Sequence, residues 1–391
     1  LALIQPTIRR VVGRVIDVPG FGWAPFEPVV PSRAVSVSAT TLTNGIITLD
    51  VDNSTGTFAI NGTSGFGRLV DDGDLGDSYN YSPPAVNAAI DTPSSVEVRV
   101  EASGPIVGAI SITSTLEIPT HIDETSQTRV GATTMSVTTH LELRADDPTV
   151  YVSTSYVNPA RDHRLRVHLP LLEAATRSKG ECAFAVVERG LEAEGRPDEF
   201  GLPTFPSRRF VQAGGLTVVH EGINEYELVD VRDGAAHELA LTLLRATGML
   251  SRLGMSLRPL PAGPLTPVDG LQMVGTPMTL NYALRLDDVD PYAMVDDVLA
   301  PLETVAAPGG GTRASTGSEL EISGAQVSAV QRVEGQLEVR VFNPTASEST
   351  VHLPGKGGWL VDLRGQAIAP FEGSFVLRSQ GIATARITHG A

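Results

Sequence analysis

Ser95-Val96-Glu97-Val98-Arg99-Val100-Glu101 alternates polar and apolar residues without a break. Such a pattern puts every second side chain on one face, which is the period of a half-buried β-strand and not of a helix. Arg164-Leu165-Arg166-Val167-His168-Leu169 repeats it. Similar runs recur at 46–51, 108–118, 135–143, 149–157, 183–188, 216–220, 237–244, 278–286, 337–342, 349–353 and 375–388. Turn-forming pairs lie between them, among them Asn44-Gly45, Asn61-Gly62 and Asp233-Gly234. Many regular strands with little helix predict an all-β protein of stacked antiparallel sheets.

One helix is expected. Asp290 suits the N-cap and Pro291 the first helical position, and Val295, Val298, Leu299, Leu302 and Val305 then recur at helical spacing. It is read as a helix packed on a sheet edge rather than one offered to a partner. Ala306-Ala307-Pro308-Gly309-Gly310-Gly311-Thr312 follows as flexible punctuation. Residues 313–391 then predict a small C-terminal β-sandwich. Residues 1–40 carry one expected strand, Arg10 to Val18, and read as the remnant of a small β-domain. Residues 41–305 form the large β-domain between them.

Composition bounds the function. The 391 residues suit two or three domains, and 41% hydrophobic with 19% charged is a globular balance. A net charge of −16 repels phosphate backbones, so nucleic acid is not an expected partner. No run approaches the roughly 18 apolar residues of a membrane span, so no membrane partner is expected. Leu1-Ala2-Leu3-Ile4-Gln5-Pro6 lacks the charge and length of a signal peptide. The sequence opens on Leu1 rather than methionine and is read as a piece of a longer protein. Cys182 is the single cysteine, which favours a reducing, cytoplasmic compartment. It is expected to be a small buried apolar residue rather than a nucleophile.

Residues 66–84 carry the densest chemistry: Phe-Gly-Arg-Leu-Val-Asp-Asp-Gly-Asp-Leu-Gly-Asp-Ser-Tyr-Asn-Tyr-Ser-Pro-Pro. Carboxylates beside aromatic faces suit sugars, whose hydroxyls need acceptors and whose C–H faces need flat apolar surface. The same stretch also reads as a surface turn whose aspartates form Asx-turns. Calcium is a weaker reading, because Asp72, Asp74 and Asp77 do not follow the spacing of a helix-flanked calcium loop. No phosphate loop or nucleophile-elbow motif is present in the sequence.

The run Asp71-Asp72-Gly73-Asp74-Leu75-Gly76-Asp77-Ser78-Tyr79-Asn80-Tyr81-Ser82-Pro83 resembles a Gly-Asp-x-Gly-Asp-x-Tyr-x-Tyr-x-Pro segment of bacterial family-38 glycoside hydrolases, the α-mannosidases. Further stretches agree in order: Val18 to Trp23, Asn44 to Leu49 with Gly56-Thr57-Phe58, Asn158 with Asp162 to Val167, and Ala240 to Ala246. The likeness spans most of residues 10–300. It implies a large galactose-mutarotase-like β-supersandwich, flanked by small β-domains, from the C-terminal part of such an enzyme. The family holds zinc and an aspartate nucleophile in an N-terminal α/β domain, which this sequence does not resemble. No cofactor is therefore expected in this chain, and zinc is expected in the missing catalytic domain. That domain and an α-mannoside glycan are the implied partners.

The resemblance also implies site residues. A tyrosine of the family's β-portion reaches the mannose pocket, and Tyr79 is the nearest match. Asp74 and Asp77 either bind sugar hydroxyls or shape the loop. Tyr81 is expected to be a strand residue facing the core. His163 and Arg164 read as an ordinary sheet-surface pair, with a distal sugar subsite as the alternative. His121-Ile122-Asp123 mimics the family's zinc-binding His-x-Asp but lies in the wrong place in the order, so no metal ligand is assigned. No catalytic residue is assigned, and the chain alone is expected to be inactive. Two alternatives stay open: a stand-alone carbohydrate-binding or scaffold module, and a mutarotase-like or lyase-like enzyme with an acid–base pair on a concave sheet face.

Overall fold

The computed structural model describes residues 11–300, 302–306 and 309–389. Two compact units emerge, one of residues 35–301 and one of residues 1–34 with 302–391. Strands dominate both, as the alternation predicts.

The larger unit stacks two main antiparallel sheets. In one, nine strands lie in the order Ala185–Gly190, Arg177–Cys182, Phe210–Ala213, Leu216–Glu221, Pro277–Arg285, Val150–Val157, Thr133–Arg144, Val107–Ile118 and Ser95–Ser103. In the other, five strands lie in the order Thr204–Pro206, Glu225–Arg232, Ala235–Ala246, His163–Ala175 and Arg68–Gly73. A further five-stranded sheet runs from Ser36–Val37 to Thr63–Phe66. The apolar side chains of all three form one core, in which Phe58, Ile110, Leu141, Leu165, Leu241 and Leu284 are buried. Two hairpins close on successive left-handed residues, Asn61-Gly62 at φ 49° and 87° and Asp233-Gly234 at φ 51° and 79°. That is the backbone of a type I′ turn, whose twist matches the flanking strands.

The two runs that predict the fold behave differently. Ser95–Ser103 is an edge strand with Val96 and Val98 packed against the core, a half-buried strand as expected. In His163–Ala175 the apolar residues Leu165, Val167 and Leu169 are buried, but so are Arg164, Arg166 and His168. A central strand has both faces covered, and here one cover is ionic.

The helix spans Pro291–Leu299, and the Asp290 carboxylate accepts a hydrogen bond from the Tyr292 N–H. Asp290→Ala should lower stability by about 1 kcal/mol, the usual loss for an N-cap, read from the urea midpoint. The helix lies over the interior strands Phe210–Ala213 and Leu216–Glu221, with Tyr292 edge-on to Phe210, and not at a sheet edge. It also stops short of the expected Leu302 and Val305, which are 71% and 80% exposed. Ala300 is already extended, at φ −83° and ψ 114°, as a residue before Pro301 must be.

In the smaller unit, Gly22–Trp23 pairs with Gly317–Ser318, and the Trp23 indole donates to the Ala314 carbonyl at 2.9 Å. The strand expected from Arg10 to Val18 is not formed over residues 11–18, where only Arg14 bridges Val29. Residues 326–389 build one five-stranded antiparallel sheet around its own core of Val339, Val341, Val351, Phe371 and Ile387. Leu1 to Pro6, Arg10, Ala307 and Pro308 lie outside the described residues. Among the described residues no helix is long and apolar enough to cross a membrane.

Candidate functional site

The strand Arg68–Gly73 runs into the aspartate–tyrosine loop, and its alternation sends Asp71 and Asp72 to opposite faces. Asp71, on the core side, forms an ion pair with Arg129, and its Oδ2 lies 2.5 Å from His163 Nδ1. His163 Nε2 lies 2.8 Å from Asn158 Oδ1, and the Asn158 amide donates to the Gln272 carbonyl at 2.8 Å. Asp72, on the outer face, receives a two-pronged bond from Arg164, Nε to Oδ1 at 3.1 Å and Nη2 to Oδ2 at 2.9 Å. The Tyr81 hydroxyl donates to Asp72 at 3.0 Å, and the Arg164 guanidinium lies 3.6 Å above the Tyr81 ring. Burial pushes the Asp72 carboxyl up, but the hydrogen bond and charge of Arg164 outweigh it and hold the group below its ordinary value. Burial and the Asp72 charge push the Tyr81 phenol up.

The same ionic layer continues along the strand. Arg166 bonds Glu227 at 2.9 Å, and Arg68 and His168 reach Glu238 at 2.6 and 2.8 Å. The His168 hydrogen bond, with Arg68, holds Glu238 down to about 2 against its burial. His163 and Arg164 are thus not the surface pair that charged strand residues suggest. Both are buried, and each is bonded to an aspartate of the adjacent strand Arg68–Gly73.

The loop itself is held from inside. One oxygen of Asp74 accepts from the Gly76 and Ser82 N–H groups at 2.9 and 3.2 Å, and the other from Arg245 at 2.8 Å. One oxygen of Asp77 accepts from the Tyr79 and Asn80 N–H groups, both at 3.0 Å. Its other oxygen accepts from the Arg252 N–H at 2.7 Å and from the Arg258 guanidinium. Burial pushes the Asp77 carboxyl up, but the bonds from Asn80, Arg258, Arg252 and Tyr79 hold it below its ordinary value. Gly76 cannot be replaced cheaply, since a Cβ there would stand 2.1 Å from the Asn80 carbonyl. Asp74 and Asp77 are both buried, with every carboxylate oxygen bonded within the chain.

Tyr79 is the exception, 54% exposed at the loop tip. It lines a cleft of about 510 Å³ together with Tyr81, Phe200, Asn224 and Glu225. Tyr81 is buried as expected, but in the loop rather than in a strand. The far wall, residues 194–206, carried no signal in the sequence beyond its charge and two phenylalanines. Nor did Arg129, Arg245 and Arg258, which lie far along the chain from the aspartates they neutralise.

Cys182 is only half-buried, and its Sγ accepts a hydrogen bond from Arg189 at 3.2 Å. His121 and Asp123 are exposed on the strand His121–Asp123, and the Asp123 carboxylate accepts from the Ser126 N–H and hydroxyl at 2.7 and 2.9 Å. Among the described residues no group of three or more His, Cys, Asp or Glu side chains is placed to hold a metal ion.

No protein-family model matches the chain. A putative mannosylglycerate hydrolase of Halalkalibacterium halodurans is 26% identical in a 221-residue alignment that covers 49% of this chain and 24% of that protein. Two solved structures from Enterococcus faecalis, an α-mannosidase and a protein of glycosyl hydrolase family 38, each superpose with a TM-score of 0.75 at 21% identity. The match covers 93% of this chain but 43% and 45% of theirs, so the chain spans less than half the length of either. The chain has the fold of a portion of the family-38 glycoside hydrolases, in keeping with the resemblance carried by residues 71–83.

Proposed function

We propose that this chain is the β-portion of a retaining α-mannosidase, supporting a catalytic domain of the same protein and completing its sugar pocket with Tyr79. The fold match over 93% of the chain to structures twice its length is the observation that carries this reading. Hydrolysis of terminal α-mannosides is then the work of that other domain. Zinc is proposed for that domain too, as the resemblance implies. Within this chain, Asp77 and Asp74 fix the loop and Tyr79 presents its hydroxyl to a sugar or to the nucleophile. A mannoside with a charged aglycone, as the name of the Halalkalibacterium relative suggests, is one substrate to include in any assay.

The test compares the 391-residue chain with the longer protein encoded by the same reading frame, on an aryl α-mannoside. The chain alone should show no turnover and the longer protein should show it. In the longer protein Tyr79→Phe should lower kcat/KM roughly 2- to 12-fold with folding unchanged, the loss of one hydrogen bond of about 0.5–1.5 kcal/mol. Unchanged kinetics would remove Tyr79 from the pocket. Zinc-dependent turnover by the pure chain would overturn the non-catalytic assignment. A reading frame that starts near Leu1 and yields no hydrolysis would leave a stand-alone sugar-binding module.

A further inference from the structure

The nine-stranded sheet ends on Ser95–Ser103, a strand of nine residues without proline or glycine. Its inner edge pairs with Val107–Ile118 in unbroken register from Ser95 to Val100, and a bulge follows between Val100 and Ala102. Its outer edge has no strand partner among the described residues, and no other backbone bond closes it there. The N–H and C=O groups along such an edge invite another strand, and folds usually blunt them. Both edges of the five-stranded sheet beside it are blunted. Arg68–Gly73 exchanges two backbone bonds between Asp71 and Ile90, at 2.9 and 2.8 Å, and Thr204–Pro206 is three residues long and ends in proline. Ser95–Ser103 carries neither device.

The side chains of this strand add a second signal. Val96 and Val98 pack against the core, while Val100 is 45% exposed. On the other face the Glu97 and Arg99 side chains are 60% and 68% exposed, and Arg99 Nε and Nη2 donate to one Glu97 oxygen at 2.9 and 2.6 Å. The order Val96-Glu97-Val98-Arg99-Val100 is complementary to itself. Turned antiparallel about Val98, the strand sets Glu97 opposite Arg99 of a second copy, and Val96 opposite its Val100. Residues directly opposed share a face of the sheet, so the valines of both copies stay on the core side and the charges outside. Centring the turn on Glu97 or on Arg99 instead sets like charges opposite each other, which is unfavourable. The complementary register also lies wholly within the stretch before the bulge.

We infer that Ser95–Ser103 is the interface of a homodimer, in which two copies pair antiparallel about Val98 and continue the nine-stranded sheet across a two-fold axis. The alternating charges then select a second copy over other edges, and the exposed Val100 gains an apolar neighbour. The pairing is independent of the mannosidase reading.

The test is sedimentation velocity of the purified 391-residue chain over a concentration series, with a monomer–dimer equilibrium as the expected result. Glu97→Arg and Arg99→Glu should each weaken the dimer roughly tenfold or more, since each sets like charges opposite each other at two symmetric positions. Mixing the two variants should restore it, because every pair across the axis is again of opposite sign. Val100→Lys should abolish it by setting an ammonium against Val96 of the second copy. Circular dichroism checks that each variant is folded, and Val100→Lys decides the matter if a charge variant does not fold. A chain that stays monomeric, a dimer indifferent to all three variants, or a mixture that does not recover would each overturn the pairing. The longer protein encoded by the same reading frame should pair in the same way. If it stays monomeric, other parts of it cover the edge and the inference fails. None of these outcomes involves hydrolysis, so the mannosidase reading stands or falls separately.

Discussion

Asp72→Ala is expected to lower the unfolding free energy by about 3–5 kcal/mol, because it takes from the buried Arg164 its hydrogen-bonded counter-ion and leaves only Glu227, 3.8 Å away. Arg166, 3.7 Å from the same carboxylate, loses part of its compensation as well. The Tyr81 hydroxyl is also stripped of its acceptor. Urea unfolding of the purified chain measures the loss. The double substitution Asp72→Leu with Arg164→Met should cost clearly less than the sum of the two single changes, since removing both charges leaves neither uncompensated. Additive losses would mean that the two side chains do not act as a pair. The pair also has a pH signature. Asp72 is held below its ordinary value of 3.8, so it binds a proton less readily folded than unfolded. Its contribution is therefore complete above the unfolded carboxylate range and is lost as pH falls through the lower folded value. Below about pH 4 the wild-type midpoint should fall more steeply than that of Asp72→Ala; parallel slopes would dissociate Asp72 from acid unfolding.

Asp77→Ala is expected to cost a comparable amount, about 3–5 kcal/mol, for a related reason. Arg258 would be left buried beside no anion, and the N–H groups of Tyr79, Asn80 and Arg252 would lose their acceptor. The consequence differs from that of Asp72, because these donors define the tip on which Tyr79 stands. Amide exchange at Tyr79 and Asn80 should accelerate in the variant, while exchange in the core strand Val107–Ile118 changes only with global stability. On the proposed reading, mannoside hydrolysis by a protein that joins this chain to the catalytic domain should fall further than in Tyr79→Phe, since the whole ring is displaced rather than one hydroxyl. Unaltered exchange at the tip would show that Asp77 does not position it.

The sequence by itself determined the class of fold, most of the strand runs, the turns at Asn61-Gly62 and Asp233-Gly234, and the helix start. Each is a local property: period-two alternation, residues tolerant of positive φ, and a carboxylate one residue before Pro291. It also singled out the loop at residues 71–83, through its density of Asp, Gly and Tyr. It did not decide which of those residues face a ligand. Only the tertiary structure brings Arg129, Arg164, Arg245 and Arg258 onto the four aspartates, turning an apparent cluster of acceptors into buried ion pairs with Tyr79 exposed among them. The same pairing buries Arg164, which alternation alone would leave in water. Alternation says on which side of a strand a residue stands, whereas what covers that side depends on contacts nearly two hundred positions apart, and no local pattern encodes them.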